Sequence, residues 1–250
     1  MNIVNQPLGI LRRELSAELT KAWRTPAFVL PTLALPLAFY ALFGILLAPP
    51  GSGNAGHLLA TYGVFASLGP ALFGFGAGVA HERDQGVLAL KQLAPVSPLV
   101  FLGAKLGTTL VFTGIVIVGL YAIAAWGGGV ALPRAAWLQL AAIHLLAVIP
   151  FCLLGLCIGL RLRSSAAMGV TNLLFMVLAV LGGLWFPLHF FPQWLQAVAL
   201  GLPSFHLAQL ALVTAGRIAG DGVLLHAAAT AAFAALFAAL AFAGWRAAAR

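Results

Sequence analysis

Residues 106–126 read LGTTLVFTGIVIVGLYAIAAW, a run without a single charged side chain. A helix rises about 1.5 Å per residue, so this run covers about 30 Å, the thickness of a bilayer's hydrocarbon. It is apolar on every side, so it keeps no face for water. Five further stretches read the same way: 27–48, 58–80, 137–160, 166–186 and 223–245. Strands of a membrane barrel alternate apolar and polar residues, and these runs are continuously apolar. The sequence therefore predicts an all-α integral membrane protein, with six transmembrane helices in one transmembrane domain over residues 1–250.

The composition agrees. Of 250 residues, 62% are hydrophobic and only 7% charged, against roughly a quarter charged in a soluble domain. Mean hydropathy is +1.06. Disorder is excluded, since it needs low hydrophobicity and high charge. A disulfide scaffold is excluded by a cysteine count of 2. Cys152 and Cys157 read as small buried apolar side chains.

Positive charge sets the expected orientation. With a cytoplasmic N-terminus, the inner segments hold Arg12, Arg13, Lys21, Arg24, Arg83, Lys91, Lys105, Arg161, Arg163, Arg246 and Arg250, and the outer ones only Arg134 and Arg217. This bias predicts a multi-pass protein of the inner (plasma) membrane with both termini cytoplasmic. The net charge of +8 then reflects inner segments facing anionic membrane lipid, not a nucleic-acid surface. Trp126, Trp137, Trp185 and Trp194 fall at the expected outer interface, and Trp23 and Trp245 at the inner one. Before the first span, Leu8, Leu11, Leu15, Leu19 and Ala22 form one apolar stripe. Flanked by Arg12, Arg13, Lys21, Trp23 and Arg24, residues 8–24 read as a helix lying in the membrane surface.

All five acids, Glu14, Glu18, Glu82, Asp84 and Asp221, are expected outside the spans. Ion-coupled transporters carry ionisable groups inside the bilayer. The one histidine well inside a span, His144, reads as a neutral imidazole bonded across a helix pair. Energy for uphill transport must then come from elsewhere, and the chain has no phosphate loop of its own. Gly74 with Gly78, and Gly155 with Gly159, read as close helix packing. An intramembrane hydrolase is disfavoured. Ser67 lacks the glycines of a nucleophile turn, and His81-Glu82 lacks a second histidine four residues on. No metal ligand spacing links His57, His189, His206 and His226.

Two connections carry more pattern. The inner one, 81–98, reads HERDQGVLALKQLAPVSP. It suggests a short amphipathic helix offering exposed charges to a cytoplasmic partner. The outer one, 187–212, is charge-free yet broken by Pro187, Pro192 and Pro203. It cannot be a straight span, and is expected to lie in the outer interface or dip into the bilayer as re-entrant helices.

These residues resemble permeases of the type-2 ABC exporter superfamily. Those proteins are similar in having an N-terminal interfacial helix, six spans and an E-R-x-x-G-x-L…L…P-V-S…G-x-K segment. Here that segment is matched by Glu82, Arg83, Gly86, Leu88, Leu93, Pro95, Val96, Ser97, Gly103 and Lys105. An F-P…P-x-W-L-Q segment is matched by Phe186, Pro187, Pro192, Trp194, Leu195 and Gln196. The run Asp84-Gln85-Gly86-Val87 departs from the more usual acidic, Gly-Thr run, and the last outer loop holds a single Arg217.

The resemblance implies a transport subunit without catalytic residues, cofactor or metal in this chain. ATP and Mg would sit on a separate cytoplasmic ATP-binding subunit. A second permease copy, as a homodimer or a paralogous pair, would complete the pathway. Glu82, Arg83, Asp84, Gly86, Leu88 and Lys91 would belong to the coupling helix that docks on the ATPase, supported by the interfacial helix. Export of an apolar or amphipathic, drug-like or lipid-like substrate is expected. A polysaccharide exporter and a channel or scaffold without ATP drive remain alternatives.

Overall fold

A computed structural model of the chain describes residues 7–49, 52–93 and 97–248. Pro95, Val96 and Arg250 lie outside these residues. The first helix, α1 (Pro7–Trp23), is followed at once by α2 (Pro26–Phe39), which Pro26 opens at a position needing no N–H donor. Pro31 and Pro36 lie inside α2, which passes into a π-helical stretch, Tyr40–Leu46. Proline removes a backbone donor and shifts the hydrogen-bond ladder. The same sequence of events recurs in the second span. There α3 (Asn54–Leu72) holds Pro70 and continues through a π-helical stretch, Phe73–Ala77, into α4 (Gly78–Asp84).

Gly86, at φ +75°, turns the chain into the short α5 (Val87–Leu93). Ser97 then caps α6 (Pro98–Trp126), accepting from the Leu99 N–H at 3.3 Å, with Pro98 in the first turn. The fourth span is α7 (Arg134–Leu146) and α8 (Val148–Gly159), interrupted at Ala147. Pro150 can give no N–H to the Leu146 carbonyl, which accounts for the break.

Next come α9 (Ser164–Val180), α10 (Gln193–Ala199), α11 (Pro203–Thr214) and α12 (Val223–Ala248). Among the described residues, five helical stretches are long and apolar enough to span a membrane on their own. The bent pair α10–α11, with an angle of 91°, would be a sixth if taken as one span. α9, expected to reach 186, ends at Val180, because Gly182 and Gly183 (φ +74°) turn the chain. Its 17 residues cover about 25 Å, the short limit for a span.

The second span is the centre of the bundle. α3 packs against α2, α6, α7, α8, α9 and α11 and is buried almost throughout. α12 lies outside, held by α8 and α11. α11 is enclosed by α3, α7 and α12, whereas the backbone break before it is exposed at Leu200 and Gly201, and His206 Nε2 bonds the Leu200 carbonyl at 3.0 Å.

Glycine permits the tightest approach. A methyl at Gly155 would lie 3.0 Å from the Gly76 nitrogen, and one at Gly159 2.8 Å from the Gly76 oxygen. The Gly155–Gly159 pair therefore packs inside the chain, against the π-helical stretch. Its counterpart there is Gly76, while beside Gly74 the nearest atom to an added methyl is 3.9 Å away, on Thr109. Trp185, expected at the outer interface, is half-buried. It packs inward, 5.6 Å from Phe39 and 5.5 Å from Phe65 between ring centres.

His144 is wholly buried. Its Nε2 donates to the Ala60 carbonyl at 3.0 Å, and its Nδ1 accepts from the Tyr121 hydroxyl at 3.1 Å. A carbonyl only accepts, so Nε2 carries the hydrogen, and complete burial with no counter-charge among the described residues favours the neutral ring with Nδ1 accepting; the two bonds join α3, α6 and α7. The imidazole occupies the space above Gly63. Gly63→Ala should displace it and lower stability by about 1–3 kcal/mol. Gly114→Ala, with open space beside it, should leave the midpoint nearly unchanged. Thermal unfolding of the two purified variants checks the difference.

Candidate functional site

The charges gather at one end of the bundle, where α1, α4, α5 and the foot of α6 meet. On α1, Glu14, Glu18 and Lys21 recur at helical spacing and share one face. Lys105, on the second turn of α6, is 6% exposed, and Glu82, on the last turn of α4, is 4% exposed. Lys105 donates to Glu82 at 2.9 Å and to Glu18 at 3.0 Å. Lys91 of α5 pairs with Glu14 and lies 3.6 Å from Glu18, while Lys21 pairs with Glu82. Three lysines thus meet three glutamates, and the cluster is formally neutral.

Phe101 lies beneath it, its ring centre 4.2 Å from the Lys91 ammonium and 5.1 Å from that of Lys105. Burial opposes the charge on Lys21. The hydrogen bond and charge of Glu82, with Glu18 and Glu14, outweigh it and raise the Lys21 pKa above its usual value.

Glu82 corrects two expectations. It does not lie outside the helix of the second span, which runs on to Asp84. Nor are Glu82, Arg83 and Asp84 free charges: Glu82 is buried, Arg83 half-buried, and Asp84, though exposed, is bonded. Arg83 donates to the Leu162 carbonyl at 2.7 Å, and Asp84 accepts from the Ser164 N–H at 2.7 Å, capping α9. The two ties fasten α4 to the α8–α9 turn. In the rest of the connection Leu88 is buried and Lys91 half-buried, while Gln85, Ala89 and Leu90 are exposed, Leu90 at 68%.

Next to the cluster lies a cleft of about 730 Å³, bounded by α1, α2, the second span, α6 and α9. Its walls are apolar, with Phe28, Phe65, Phe73, Phe112, Phe175 and Met176. Its charged and titratable groups, Glu18, Lys21, His81 and Lys105, gather at one end, and Thr25, Thr32, Thr108, Thr109, Ser164 and Asn172 add polar groups along it. Such a cleft can hold a molecule with one apolar body and one polar end.

The outer residues are placed elsewhere. Phe186, 6.3 Å from Phe43 between ring centres, and Pro187 follow the end of α9, while Pro192 precedes α10. Trp194 is 69% exposed. None of the four joins the charged cluster. Of the interfacial-helix residues, Lys21 enters the cluster, Trp23 stacks 5.1 Å from Phe112, and Arg12, Arg13 and Arg24 stay exposed. His206 and His226 are bonded at 2.9 Å between their Nδ1 atoms, linking α11 to α12.

The sequence reading did not assign Glu14, Glu18 or Lys105 to a common site. A signal for the two acids existed: they stand four apart, with Lys21 three further on.

A polytopic helical bundle, with an amphipathic helix bound across one end and an amphiphilic cleft beside it, has the form of a multi-pass membrane permease. The chain belongs to the ABC-2 type transporter family, whose model matches residues 11–215. It is 29% identical over 223 residues to "Putative transport permease YvfS" of Bacillus subtilis (strain 168), covering 87% of this chain and 91% of that protein.

Removing one partner of a buried ion pair leaves the other uncompensated. Lys105→Ala or Glu82→Ala should each cost about 3–5 kcal/mol. The double variant should cost clearly less than the two together, as a double-mutant cycle of thermal unfolding will read.

Proposed function

We propose that this chain is the membrane-spanning subunit of an ATP-driven exporter that moves an apolar or amphipathic substrate out of the cytoplasm. ATP and Mg bind a separate cytoplasmic subunit, and two permease chains form the pathway in the plasma membrane, with both termini cytoplasmic. Membership of the ABC-2 family supports pairing with an ABC ATP-binding subunit in general. The observation that carries the reading further is the neutral ion-pair cluster. It links α5, whose Leu90 and Ala89 are exposed, to α1, α4 and α6.

In this reading α5 is the coupling helix, and its exposed apolar tip enters a groove of the ATPase. Glu82, Arg83, Asp84, Leu88 and Lys91 act behind that tip, holding α5 to the spans, and Gly86 supplies the turn. The cleft takes the substrate. Its phenylalanine and methionine walls offer few groups to bond the hydroxyls of a sugar, which favours a lipid-like or drug-like molecule over a polysaccharide.

Leu90→Asp changes an exposed residue and should leave the unfolding midpoint of the permease unchanged. It should weaken association with the ATPase about tenfold or more, as for a central interface residue. Co-purification of the two subunits measures this, and substrate-stimulated ATP hydrolysis in vesicles measures coupling. A permease that purifies with no ATPase under any condition overturns the reading.

A further inference from the structure

The ion-pair cluster uses only one side of α1. The other side carries Arg12, Ser16, Thr20 and Arg24 at four-residue steps, hence in one stripe. Beside it stand Leu15, Leu19 and Trp23, and the seven residues line a shallow groove of about 470 Å³. Arg12 and Arg24 are exposed, and neither pairs with an acid among the described residues. The helix has sorted its charges. Both of its glutamates face the protein and are taken by Lys91 and Lys105, which leaves the outer stripe cationic.

The depth of α1 is also set. Leu11 sits over Gly103 and Leu15 over Gly107 of α6, beside Leu106, where the uncharged run of that span begins. The groove therefore lies where headgroups meet hydrocarbon. Trp23, half-exposed at its end, suits that boundary.

We propose that this groove is a binding site for an anionic glycerophospholipid of the adjoining leaflet. Arg12 and Arg24 close the two ends of the groove and attract the phosphate by charge-assisted hydrogen bonds. Ser16, whose hydroxyl bonds nothing among the described residues, stands between them. The acyl chains lie against Leu19 and Trp23. A partner protein fits less well, because the groove faces the membrane boundary rather than the exposed tip of α5.

The test is native mass spectrometry of the full-length permease, titrated with phosphatidylglycerol or phosphatidylcholine. The wild-type chain should retain phosphatidylglycerol in preference. Arg12→Gln with Arg24→Gln should lower that retention by roughly fivefold for each arginine removed, and Arg12→Lys with Arg24→Lys should largely keep it. Arg246→Gln removes another exposed arginine and should have no effect. Equal retention of the two lipids, or an Arg246→Gln loss as large as the double variant's, overturns the proposal. So does displacement of the lipid by inorganic phosphate, which would make the groove a free-anion site. A double variant that keeps its lipid but loses its ATPase assigns the groove to the protein partner, and also overturns it.

Discussion

A lysine and a glutamate at the edge of an apolar bundle cannot both lose water and stay apart. The cost of burying an unpaired charge is several kcal/mol or more, so Lys105 and Glu82 must meet, and the helices carrying them are fixed by that meeting. Lys105 has a second acceptor in Glu18, which brings α1 across α6. Glu18 and Glu14 then take Lys91, which brings α5. One requirement, that no buried charge be left over, thus sets the positions of four helices. It also explains why the helix of the second span does not stop at Ala80. Its last turn presents Glu82 to the cluster and Arg83 and Asp84 to the α8–α9 turn.

The rest of the bundle obeys a second constraint, that backbone groups in hydrocarbon find partners inside the protein. Proline breaks the ladder, and in the second and fourth spans the break falls where another helix is close. After Pro70 the π-helical stretch Phe73–Ala77 is covered by Gly155 and Gly159 of α8. Phe73, Gly74 and Ala77 of the same stretch line the cleft. The irregular backbone and the apolar cleft are therefore one place. The π-helical stretch after Pro70 has glycines of α8 on one side and open space on the other.

Much of this was legible in the sequence. Charge-free runs located the spans, a leucine stripe located α1, and the prolines located the bent outer pair. The errors have a common origin. A charge-free run marks the hydrocarbon, not the helix, whose ladder continues through charged residues. So α3–α4 runs on to Asp84, and α6 starts at Pro98 instead of 106. At α9 the converse held: the apolar run continued to Phe186, but two glycines ended the helix. Whether Glu82 is exposed depends on Lys21 and Lys105, far away in sequence, and no local pattern carries that pairing. The phase of α5 after Gly86 was equally hidden. It turns Leu88 inward and Leu90 outward, although both belong to one apolar pattern.

Glu18, Lys21 and Lys105 belong to the cluster and also line the cleft. A displacement applied at Leu90 has two outcomes. It can break Lys91 from Glu14 and Glu18, leaving charges unpaired, or it can carry α1 and the foot of α6 with it. Lys105 and Glu82 are the buried pair of the cluster, and separating them would leave both charges unpaired. The second outcome keeps every pair made, and it shifts groups of the cleft itself. Arg83 and Asp84 extend the same unit to the start of α9, whose Ser164 and Met168 line the cleft from the other side. The charges that make this end of the chain costly to bury are thus what joins an exposed tip to both walls of an apolar cleft.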